Sequence, residues 1–219
     1  MIYRFPIKIV RDMILNQVSN NFFKSIDDEL LISKHLPKVL QRFEYNISHN
    51  VNKYYWTINE NGEKEAYFNP LHNCQWTLFL YLVANTIYLE EKEKKDAAKV
   101  LCDKLYGQLR IISGCDLYYE VSMPDVFSFD HPTGSFIGRG IIGQNFFFTH
   151  DCTVGDSKEG VYPTIGKNVT MHTGSAILGD SHIGDNCIIA EGTIIIDQNV
   201  PDNSYVRGQT PDLVIQARK

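Results

Sequence analysis

No two cysteines in this chain are spaced as Cys-x-x-Cys, no segment is dense in lysine and arginine, and no apolar run is long enough to cross a bilayer. Each absence removes a class of function. The five cysteines, Cys74, Cys102, Cys115, Cys152 and Cys187, are widely scattered and odd in number, which argues for reduced thiols and against a disulfide framework or a Cys-based zinc site. Without a basic cluster to neutralise phosphates, and with a net charge of -5, nucleic acid is not an expected partner. The most apolar stretch, Trp76 to Leu89, is interrupted by Asn85 and reads as a buried core helix, so no membrane partner is expected. The opening residues lack the apolar core of a signal peptide, and the expected location is cytoplasmic.

What is present divides near residues 113–125 into two halves with different periods. In the first, Ile7, Val10, Ile14 and Val18 share one helical face, and Leu30, Leu31, Leu36, Val39, Leu40 and Phe43 continue the pattern. Asn61-Gly62 marks a turn between two short segments. A long helix is expected after Asn69-Pro70, then a solvated charge run from Glu90 to Asp96, then a helix over Ala97 to Ile111.

The second half repeats every six residues. Phe136, Ile142, Phe148 and Val154 form one series, and Ile165, Met171, Ile177, Ile183, Ile189 and Ile195 resume it after an interruption. Glycine follows the apolar position at Gly143, Gly155, Gly166 and Gly184, and asparagine comes two residues later still at Asn145, Asn168 and Asn186, residues that tolerate left-handed turns. Chance alternation of apolar residues has period two. A sustained six-residue repeat predicts a parallel β-helix whose apolar residues stack inward coil upon coil.

From Gly114 to Ile215 these residues resemble the catalytic domain of the serine acetyltransferases. The segment Asp130-His131-Pro132-Thr133-Gly134-Ser135-Phe136-Ile137-Gly138 resembles the Asp-His-x-Thr-Gly-x-x-x-Gly motif that carries the family's catalytic histidine. Gly114-Cys115-Asp116 falls where the family has the paired aspartate. Cys152-Thr153-Val154-Gly155 is similar to its Val-Thr-Leu-Gly segment, and Val206-Arg207-Gly208-Gln209-Thr210-Pro211 to its Gly-x-Pro exit. The resemblance implies an α+β chain, with an N-terminal α-helical domain over residues 1–113 and a C-terminal left-handed parallel β-helix over 114–219. It also implies acetyl-CoA as co-substrate, a homotrimer or a hexamer, and no metal.

The roles implied are catalytic for His131 and Asp116, and acceptor-binding for Asp130, Tyr162 and Asn69. Gly155, Gly174, Ala190, Gly192 and Arg207 are the implied cofactor-binding residues, with Lys219 a further phosphate contact. An imidazole titrates near neutral pH and suits removal of a proton from an attacking hydroxyl. A carboxylate such as Asp116 can orient it, and a backbone N–H near Gly155 is a candidate oxyanion donor. His150, His172 and His182 raise a metal reading, but their separations do not follow the His-x-x-x-x-His pattern of the zinc members of this repeat class. Cys152 reads as a buried filler, not a nucleophile.

Three departures bear on the acceptor. Tyr162 stands where longer relatives have histidine, Arg207 replaces a small residue, and the chain ends without the isoleucine tail used for docking onto cysteine synthase, so that docking is not expected. L-Serine is the acceptor implied by Asp116, Asp130 and His131. A sugar hydroxyl is the alternative, and an idle scaffold the reading in which no chemistry occurs.

Overall fold

The computed structural model describes residues 1–50, 52–91 and 96–218. Most of the Glu90–Asp96 charge run, and Lys219, lie outside the described residues. The chain divides into two compact units, Met1–Ser113 and Gly114–Lys219.

The first unit holds helices α1 (Ile7–Asn21), α2 (Ile26–Ser48), α3 (Asn73–Glu91) and α4 (Asp96–Ser113). A small sheet joins Ile2–Tyr3, Lys64–Phe68 and Trp56–Ile58, in that spatial order. Its hairpin turns at Gly62, whose φ of 79° a glycine adopts without penalty. Ser25 opens α2 with a capping box: its hydroxyl accepts from Asp28 N–H while the Asp28 carboxylate accepts from Ser25 N–H. That carboxylate also takes the buried Lys104 ammonium at 2.8 Å, tying α2 to α4. Helix α3 is buried on nearly every side from Cys74 to Ile87, with the polar Gln75, Thr77, Asn85 and Thr86 among its buried residues. Among the described residues no helix is long and apolar enough to cross a membrane. Of the residues expected on the apolar face of α2, Leu36, Val39 and Phe43 are buried, whereas Leu30 is 61% exposed. The inward position belongs instead to Ile32.

The second unit is a three-sided parallel β-helix. On its first face Leu117, Ile137, Val154, Ile177 and Ile195 stand in register on successive strands. Ile142, Ile165, Ile183 and Val200 form the second stack, and Phe129, Phe148, Met171, Ile189 and Val206 the third. All fourteen are buried, so each coil covers the apolar floor of the next. The six-residue series holds from Ile142 onward. At its start it is off by one: Phe136 is 51% exposed, and Ile137 points inward.

The corner between the second and third faces never varies, with six positions from Ile142 to Phe148, Ile165 to Met171, Ile183 to Ile189 and Val200 to Val206. Asn145, Asn168, Asn186 and Asn203 occupy this corner with φ between 56° and 61°. Each Asn side-chain amide donates to the next along the stack, at 2.8, 2.8 and 3.0 Å. The asparagines thus do two jobs: they adopt the left-handed turn and they bond coil to coil.

Replacing Asn168 by Ala removes both of its ladder bonds and leaves a Cβ-bearing residue at φ 56°. Urea unfolding should show a loss of about 2 kcal/mol, and Asn168→Gly should recover roughly half of it by relieving the backbone. In the helical unit, Lys34 and His35 bond Glu91 and hold its carboxyl below the usual 4.5. A depressed carboxyl stabilises the fold fully above its ordinary pKa and loses that effect as pH falls from there through the depressed value. The stability gap between the protein and Glu91→Gln, measured in urea, should therefore be open at pH 7 and narrow as the pH falls below 4.5.

Candidate functional site

The corner between the third and first faces is regular on three coils and irregular on one. Five positions separate Phe148 from Thr153, Met171 from Ala176, and Ile189 from Ile194; seven separate Phe129 from Phe136. The first coil therefore carries two additional residues at this corner, within the segment Asp130-His131-Pro132-Thr133-Gly134-Ser135. Strands on both sides keep register, so the surplus bulges outward. His131 sits on the bulge at φ 49°, with its side chain 84% exposed. Its Nε2 lies 3.7 Å from Asp130 Oδ1. Asp116 occupies the preceding coil, opposite Phe136 in the ladder, and its N–H donates to Ser135 O at 2.8 Å.

The bulge is fastened from behind. The Ser135 hydroxyl donates to Thr149 O at 2.7 Å and accepts from Cys152 N–H at 3.1 Å. Gly134 N–H donates to Gly114 O, and Asp151 N–H to Thr133 O. A flexible loop would let the imidazole wander; here its supports lie on the coils before and after it.

The remaining sequence candidates fall into two groups at opposite edges of the first face. Asp130, His131, Gly174, Ala190 and Gly192 belong to the corner just described, and Arg207 is exposed at the end of the third-face strand Ser204–Arg207 leading into it. Gly174 and Gly192 have φ 71° and 66° and leave open ground where side chains would stand. Gly155 closes the strand Thr153–Gly155 at the far edge, where eleven positions separate Val154 from Ile165. Tyr162 lies in that longer connection, about one third exposed. One chain thus does not bring Tyr162 or Gly155 beside His131. Asn69 lies in the helical unit, where its Oδ1 accepts from Leu71 N–H and its own N–H donates to Gln75 Oε1 ahead of α3.

Side chains outside the Asp130–Gly138 motif also gather at this corner. His150 and Thr173 take the same corner place on the two coils after the bulge, each just before a left-handed residue, and their side chains approach to 3.5 Å. His172 Nδ1 stands 3.9 Å from Glu191, at the same corner, and His182 is on the second face, 3.7 Å from Asp180. Among the described residues no three His, Cys, Asp or Glu side chains converge as metal ligands. Cys152 is fully buried in a column of small polar residues with Ser135, Ser175 and Thr193, its thiol 3.3 Å from His172 O.

Residues 162–197 match the family model described as bacterial transferase hexapeptide (six repeats). Serine acetyltransferase 4 of Arabidopsis thaliana is 26% identical over 138 residues, covering 61% of this chain and 39% of the relative. A serine acetyltransferase of Buchnera aphidicola subsp. Acyrthosiphon pisum is 32% identical over 119 residues, covering 51% and 43%. The chain carries the transferase hexapeptide repeat and is similar to the serine acetyltransferases. It spans about two fifths of the length of these curated relatives. Among solved structures, the serine acetyltransferase of Neisseria gonorrhoeae superposes with a TM-score of 0.71 at 19% identity, covering 96% of this chain and 78% of that one. A serine acetyltransferase in complex with CoA gives 0.70 at 17%, covering 94% and 83%. The shared fold therefore extends through the helical half.

All five cysteines are buried, and burial raises the Cys102 thiol to about 12. Iodoacetamide should leave the mass of the native protein unchanged over an hour, and add five adducts only after denaturation. Rapid native modification of Cys152 would contradict its assignment as core filler.

Proposed function

We propose that the protein is an acetyl-CoA-dependent O-acetyltransferase whose acceptor is L-serine, yielding O-acetylserine. The observation that carries this reading is the two-residue bulge presenting His131, with Asp130 beside it and Asp116 one coil behind, on a fold shared with serine acetyltransferases. The serine hydroxyl attacks the thioester carbonyl as the His131 imidazole takes its proton. The tetrahedral adduct then collapses, expelling the CoA thiolate, which recovers that proton from the imidazolium as CoA thiol. Asp116 orients the imidazole and stabilises its charged form. No acyl-enzyme forms, in keeping with a buried Cys152.

Acetyl-CoA would run along the corner past Gly174, Ala190 and Gly192, where small residues let the pantetheine approach the backbone, with Arg207 near the phosphates. Tyr162 and Gly155 sit at the opposite edge of the first face, so a closed threefold ring, in which one copy's far edge meets its neighbour's His131 corner, assembles both groups. That arrangement supports a homotrimer or a hexamer as the active form.

The test is CoA release from acetyl-CoA, followed through the free thiol, with and without L-serine. Serine-dependent release should fall by roughly 10²–10⁴-fold in His131→Ala. Release by the wild-type protein that serine does not accelerate would reject the serine reading and turn the search to sugar hydroxyls.

A further inference from the structure

Among the described residues, seven other than glycine hold positive φ: His131, Asn145, Asp151, Asn168, Asn186, Asp197 and Asn203. For an L-residue this conformation is unfavourable, so each needs a reason. The four asparagines bond one another as the ladder. Asp197 caps its corner, accepting from Asp180 N–H at 2.8 Å and from the Ser157 hydroxyl at 2.9 Å, which also holds its carboxyl below the usual range. The two left over are His131 and Asp151, on adjacent coils of the same corner.

Asp151 shares its place with Gly134, Gly174 and Gly192, at φ 75°, 71° and 66° against its own 56°. Each of the four precedes a buried small residue: Ser135, Cys152, Ser175 or Thr193. Glycine suffices for this turn on three coils. What aspartate adds on the fourth is a carboxylate leaning back toward the His131 bulge: its Oδ1 lies 2.1 Å from where a Cβ on Gly134 would stand. The side chain is exposed, and among the described residues no donor hydrogen-bonds to it and no cation pairs with it. The corner segments 130–135, 149–152 and 172–175 contain no lysine or arginine.

We propose that Asp151 is a specificity-determining residue, whose carboxylate receives a cationic group of the acceptor beside the hydroxyl that His131 deprotonates. The acceptor class is thus a hydroxyl compound bearing an ammonium, not a neutral sugar or an acidic one. This rests on the acetyl-transfer reading above. Asp151 holds an uncompensated conformation because the ligand, not the fold, supplies its partner.

The test compares wild type, Asp151→Gly and Asp151→Asn by steady-state kinetics with L-serine, and with ethanolamine against ethylene glycol, alongside thermal unfolding. Asp151→Gly should melt at the wild-type temperature or above it. Both variants should raise the KM for serine about 10- to 100-fold, as expected for loss of a charge-assisted bond. The KM for acetyl-CoA should stay within about twofold, and the preference for ethanolamine over ethylene glycol should disappear. An unchanged serine KM, or a lower melting temperature in Asp151→Gly, overturns the proposal while leaving acetyl transfer standing. A wild-type protein that acetylates none of the three acceptors removes both readings together.

Discussion

Every coil of the β-helix must hydrogen-bond to the one before it while keeping three apolar residues over three others. This double registry is the constraint on which the rest of the second unit depends. A residue gained or lost within a face would turn every following side chain inside out, so length can vary only at corners. The second-to-third corner shows the constraint at its strictest: six positions on every coil, with the asparagine ladder sealing it. The other two corners carry the exceptions, namely the two-residue bulge with His131 and the longer connection with Tyr162. The residues proposed for chemistry sit where the scaffold can absorb irregularity without losing register.

The same logic explains why the imidazole is exposed and yet positioned. Its backbone is an outgrowth of a rigid turn held by Ser135, Gly134 and Thr133 through bonds to neighbouring coils. Left-handed conformations on this corner are relieved by glycine or left standing at His131 and Asp151, which belong to successive coils. Strain that the fold does not require is a pointer to function.

The apolar repeat was legible in the sequence because inward residues of a β-helix have no alternative: Ile165, Met171, Ile177, Ile183, Ile189 and Ile195 are buried where the period places them. Phe136 escaped that rule because only five positions separate the inward Ile137 from Ile142, and an apolar residue next to the true inward position is indistinguishable by hydropathy. The separation of Tyr162 and Gly155 from His131 was hidden for another reason. Proximity along the axis follows from position modulo one coil, and two irregular corners break that arithmetic. Asp151 was passed over because it matches no motif; only the stacked glycines on either side reveal that its place is unusual.

If Asp130 and His131 form a functional insertion, the otherwise regular corner does not need them to fold. Deleting both leaves five positions between Phe129 and Phe136, the spacing of the next three coils. The deletion protein should retain the β-helix, with an unchanged circular dichroism spectrum and a melting temperature within about 5 °C of wild type, and should release no CoA in response to serine. A deletion protein that fails to fold would show the bulge to be part of the scaffold. One that folds and still turns over serine would place the catalytic base elsewhere.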